Sequence, residues 1–256
     1  MKRTIIIIFA ILFSIVMVIF NLADTGLIHK KDRKKPRIDL NSKINKVGDR
    51  VDDKIADVGE RIGLKVINLN NYNLQGTKVL MVIPPLDFRD EEFKDIQDIL
   101  KKVEIKIVIA STTKKECIGV LKKERCFPEL LINEVNIDDY DALIIIGGIG
   151  TKNHLWGNTD LNKLVFNFGR TSKPLGGLQL APAIIADSNI AHGKNLTVYK
   201  AFDSLAHLKD GGANYVDKSI VIDGNIITAN SPKTRELFAK KLILMIVEYQ
   251  KLSQRR

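Results

Sequence analysis

The sequence predicts an α/β sandwich with a mostly parallel sheet, preceded by a transmembrane helix and an amphipathic linker helix. Three observations carry this reading. Short apolar runs recur from Lys78 onward and alternate with stretches of helical period. An uncharged apolar run extends from Ile5 to Phe20. Between the two lies a stripe of aliphatic residues at helical spacing. The resulting divisions are a membrane anchor over 1–24, a basic flank and linker over 25–70, and a main domain over 71–256.

The anchor comes first. With Leu22 and Ala23 the apolar run covers residues 5–23, about the length that crosses the hydrocarbon core of a bilayer. A cleaved signal peptide fits less well, because its apolar region is shorter and small residues precede its cleavage site. Residues 1–37 hold eight Lys and Arg against two Asp, a large share of the chain's net charge of +10. That charge is therefore a membrane flank rather than a nucleic-acid footprint. More of it follows the span than precedes it. The positive-inside rule then places a single-pass protein with its main domain on the cytoplasmic side.

In the linker, Leu40, Ile44, Val47, Val51, Ile55, Val58 and Ile62 fall on one helical face. Val47-Gly48-Asp49-Arg50-Val51 recurs eleven residues later as Val58-Gly59-Glu60-Arg61-Ile62. The stripe suits a stalk that pairs with a second copy, or a helix that packs on the bilayer or the main domain. Gly48, Gly59 and Gly63 weaken it as a free-standing helix.

The main domain opens after the polar stretch 68–77. Strands are predicted over 78–83, 105–110, 140–148 and 195–199, and over 219–229 with a turn at Asp223-Gly224. Helices are predicted over 89–103, 160–171 and 181–188. A last helix begins after Ser231-Pro232, with Ser as N-cap and Pro in the first position. Its inward face is read as Leu237, Leu242, Met245 and Tyr249. The stretch "PLGGLQLAPAIIA", 174–186, has the form of a strand, a tight elbow at Gln179 and a helix. Cys117 and Cys126 have no C-x-x-C spacing; a disulfide between them is open but unsupported by the sequence, and they read as two free thiols in a loop region. No Cys/His cluster has metal-ligand spacing, and no glycine turn has phosphate-loop spacing, so no metal or cofactor is expected. Gly147, Gly148 and His154 are candidates to line a pocket, while His192 and His207 read as surface-turn residues.

Four stretches in order, "FRDEEF", "VNIDDYDALIIIGGIG", "PLGGLQLAPAIIA" and "GGANYVDKSIVIDGNIITANSP", resemble the ThiJ/PfpI family, a class I glutamine amidotransferase-like group that includes a deglycase and intracellular proteases. The resemblance implies a flavodoxin-like three-layer fold, a homodimer and a reactive Cys at the elbow. That position is Gln179 here, and a carboxamide is no nucleophile at neutral pH. The His that follows it in protease-like members falls on Leu180, a further His on Tyr199, and an acidic residue on Lys152. The acid that contacts the elbow Cys is retained as Glu92, and a Glu92–Gln179 hydrogen bond is expected in the vacated site. The chain thus reads as a membrane-anchored, catalytically inactive binding or scaffolding module, a pseudoenzyme without a named ligand. The alternative is a divergent cysteine peptidase or deglycase-type hydrolase acting through a non-standard group.

Overall fold

The computed structural model describes residues 72–254. The expected span over 5–23 and the linker helix lie outside the described residues. Among the described residues no helix is long and apolar enough to cross a membrane.

The chain opens with β1 (Lys78–Val82) and the short β2 (Leu86–Phe88), which leads into α1 (Asp90–Lys101). β3 (Lys106–Ser111), β4 (Cys117–Gly119), β5 (Arg125–Cys126) and β6 (Leu130–Leu131) follow. Then come β7 (Ala142–Ile145), α2 (Ile149–His154), α3 (Thr159–Gly169), β8 (Leu175–Leu178) and α4 (Pro182–Asp187). The last third holds β9 (Asn195–Leu196), α5 (Phe202–Asp210), β10 (Asn214–Tyr215), β11 (Ile220–Asp223), β12 (Ile226–Ala229) and α6 (Arg235–Ser253).

Seven strands form the main sheet in the order β11-β12-β8-β7-β1-β3-β6. Every neighbouring pair is parallel except β11–β12, a hairpin on the edge. A parallel sheet needs cover on both faces, and the strands supply apolar residues to both. In β1 and its extension, Val79, Met81 and Ile83 join one buried cluster, and Leu80 and Val82 join the other. The first cluster lies under α1 and α6, through Phe93, Ile96, Phe238, Leu242 and Ile246. The second lies under α3, α4 and α5, through Leu161, Phe168, Ile184 and Leu208. This is the expected three-layer α/β arrangement.

Several boundaries and one helix face differ from expectation. Ser231 caps a single 3-10 turn, Pro232–Thr234, before α6 begins at Arg235. The buried face of α6 is Phe238, Ala239, Leu242, Ile243 and Ile246, so Leu237, Met245 and Tyr249 sit at its margin. The cysteines are not in a loop: they belong to β4 and β5 of a separate three-stranded sheet, β2-β4-β5. His207 lies in α5 rather than in a surface turn.

From β1 the chain moves to β3 on one side and returns to β7 on the other. Ligand crevices of open α/β sheets lie beyond the strands' carboxyl ends at such a switch point. The ends of β7 and β8 deliver Gly147 and Gln179 to this edge, and the first turn of α1 delivers Glu92.

Candidate site at the strand-to-helix elbow

The elbow is built by backbone. Leu178 ends β8, Gln179 turns, and Pro182 starts α4. Gln179 has φ of +53°, in the left-handed region that residues other than glycine seldom occupy. Its N–H donates to Ala229 O at 2.8 Å, and its carbonyl accepts from Tyr199 N–H at 2.8 Å. Ala181 N–H closes the turn on Leu178 O at 2.9 Å. A non-glycine residue held at positive φ by surrounding bonds is strain kept by the fold.

Glu92 reaches the same point from α1. It is fully buried, and its Oε2 accepts from Gly147 N–H at 2.9 Å. Its Oε1 is buried with no hydrogen-bond partner among the described residues. Burial disfavours the charged form and pushes the acid up to about 8, against the opposing Gly147 N–H and the nearby Arg89. The group is therefore largely protonated at neutral pH and carries an O–H donor. The expected Glu92–Gln179 hydrogen bond is absent: Oε2 accepts from Gly147 N–H, and among the described residues neither Glu92 Oε1 nor the Gln179 carboxamide has a hydrogen-bond partner. The two residues are nevertheless neighbours across Gly147. A Cβ on that glycine would lie 2.6 Å from Gln179 Cβ and 2.9 Å from Glu92 Oε2. Gly148, at φ +124°, lets the chain pass within van der Waals distance of the Asp87 carbonyl.

The other sequence-derived positions gather less completely. Leu180 is buried, and its carbonyl accepts from Trp156 Nε1–H at 3.0 Å. Tyr199 joins the elbow by its backbone while its side chain is half exposed. Lys152, on α2, pairs with Asp203 at the start of α5. His154 ends α2, half-buried, with no hydrogen bond or ion pair among the described residues. Among the described residues no group of three or more His, Cys, Asp and Glu is placed to hold a metal ion.

A further cluster, not marked by any sequence motif, lies beside the elbow. His207 Nδ1 lies 2.8 Å from Asp187 Oδ1, and its ring packs on Trp156 with centroids 4.3 Å apart. Lys152 Nζ sits 5.6 Å from the centre of the same indole. Lys152 comes from α2, Trp156 from the turn that follows it, Asp187 from α4 and His207 from α5, and no local pattern links them.

Comparison with known proteins settles the family. The model of the DJ-1/PfpI family matches residues 77–245. The chain belongs to the DJ-1/PfpI family. An uncharacterized protein of Methanocaldococcus jannaschii is 42% identical over 179 residues, which cover 70% of this chain and 87% of that protein. Protein dj-1beta of Drosophila melanogaster is 27% identical over 182 residues, 70% of this chain and 94% of that protein. Among solved structures, a ThiJ/PfpI domain protein from Brachyspira murdochii superposes with a TM-score of 0.62 at 27% identity, covering 68% of this chain and 98% of that one. The DJ-1/PfpI match thus runs from just before β1 into α6.

Proposed function

We propose that this DJ-1/PfpI-family chain is a membrane-anchored homodimer that acts as a binding or scaffolding module, with an elbow that no longer performs nucleophilic chemistry. One observation carries the reading: the residue at the apex of the elbow is Gln179, whose carboxamide has no nucleophilic atom at neutral pH. The chain's two thiols do not replace it. They lie in the β4–β5 ribbon, and burial pushes both up, Cys126 to about 12. Anchoring rests on the apolar run over 5–23, and the dimer on the family resemblance and the linker stripe.

A second reading, a hydrolase acting through a non-standard group, draws on Glu92. A buried, protonated acid with a free O–H beside a vacated elbow is the kind of perturbed group that active sites keep. Turnover of peptide, ester and dicarbonyl substrates by the purified full-length protein and its Glu92→Gln variant separates the two. A scaffolding module gives the same background rate for both. A wild-type rate that Glu92→Gln abolishes overturns the proposal.

A further inference from the structure

Cys117 on β4 and Cys126 on β5 are direct partners across an antiparallel pair, and both are free. Directly opposed residues project to the same face of a ribbon. Here that face looks onto the cluster under α1 and α6, where Cys117 is fully buried and Cys126 packs against the margin. Opposed Cα atoms of such a pair are about 4.5–5.5 Å apart, inside the range of about 4.4–6.8 Å that a disulfide spans. Opposed Cβ atoms are about 4.5–5.5 Å apart, and a bridge needs about 3.5–4.5 Å. Closure therefore asks the ribbon to tighten by about 1 Å. β5 is a two-residue strand on the edge of its sheet, paired only with β4, so it can give.

The turn of the ribbon does not have to move. Asp90 clips it to α1: its carboxylate accepts from the N–H groups of Leu121 at 2.7 Å, Lys123 at 3.0 Å and Glu124 at 2.9 Å. Gly119 N–H donates to Glu124 O at 3.0 Å and closes the hairpin above the cysteines. The two sulfurs thus belong to one pinned hairpin, not to separate mobile loops.

We propose that Cys117 and Cys126 form a redox modification site, closing to an intramolecular disulfide across the β4–β5 ribbon by exchange with a low-molecular-weight disulfide. Cys126, the more exposed, loses its proton and attacks one sulfur of the reagent, expelling one reagent thiolate. Cys117 then loses its proton and attacks the Cys126 sulfur of the mixed disulfide, expelling the second. Two thiols are oxidised to one S–S bond, and the reagent is reduced to two thiols that take up the two protons. Because burial raises both thiols, thiolate is scarce at neutral pH, and the reaction accelerates as the pH rises.

The test incubates the full-length protein with excess oxidised glutathione at mildly alkaline pH, then alkylates under denaturing conditions and reads the intact mass. The expected product is a monomer that has lost two hydrogens, takes up no alkyl group, and recovers two alkylatable thiols after reduction. Cys117→Ser is expected to retain a glutathione adduct on Cys126, because its resolving thiol is gone. A wild-type chain that keeps both thiols, that holds glutathione without closing the ring, or that bridges to a second copy overturns the proposal.

Discussion

At the scale of single residues, the elbow depends on the smallness of Gly147. An added methyl would sit 2.6 Å from Gln179 Cβ and 2.7 Å from the Leu178 carbonyl, neither of which can yield without moving the turn. Gly147→Ala is therefore expected to destabilise the domain by about 1–3 kcal/mol, measured by denaturant unfolding. Glu92 gives a signature in pH. Its folded value, about 8, lies above its ordinary value of 4.5, so the folded state holds the proton more tightly than the unfolded chain. The stabilisation is complete below about pH 4.5 and is lost as pH rises through about 8. The gap corresponds to at most about 5 kcal/mol. Glu92→Gln, a permanently neutral analogue, should flatten the fall in stability between these pH values, read from unfolding midpoints across the range. An unchanged slope would mean that Glu92 is not the neutral acid of the site.

At the scale of elements, Asp90 shows why part of the structure could not be read from sequence. Burial alone would push its carboxyl up, but the three backbone donors of the ribbon outweigh that and hold it below the usual carboxylate range. β4 and β5 are three and two residues long, with no clear alternation, and their hairpin is held by a side chain some thirty positions away. No window of local sequence contains that information. Asp90→Ala is expected to cost about 2–3 kcal/mol and to raise hydrogen exchange at Leu121, Lys123 and Glu124 selectively. α5 escaped for a different reason: only Ser204 and Leu208 of its nine residues are buried, too few to imprint a periodic stripe. By contrast β1, β3, β7 and β12 were legible because strands covered on both faces are apolar nearly throughout, and α1 because Phe93, Ile96 and Ile99 keep helical period.

The candidate site was legible in its members more than in its bonds. The order of short motifs brought Glu92, Gln179 and the Gly147–Gly148 turn to one edge. Their actual pairing, carboxyl to the Gly147 amide rather than to the carboxamide, depends on a turn geometry that residue identities do not specify. His207 is not legible as a site residue because α5 leaves no periodic stripe, and its partner Asp187 ends a different helix.

At the scale of the whole molecule, the DJ-1/PfpI domain is one portion of a chain whose first residues carry an apolar run and a basic flank. If residues 5–23 anchor the protein, the full-length chain stays in the membrane pellet after alkaline extraction, and removal of residues 1–24 releases it. The fold keeps a strained elbow and a buried acid, while the carboxamide at the apex cannot form a covalent intermediate. That inability is tested most directly by intact-mass and peptide-mass analysis of the full-length protein, acid-quenched during incubation with peptide, ester and dicarbonyl substrates. The expected result is an elbow peptide, containing Gln179, that stays unmodified at every time point, whatever dicarbonyl adducts the surface Lys and Arg collect. A transient adduct that maps to the elbow peptide containing Gln179 would contradict it.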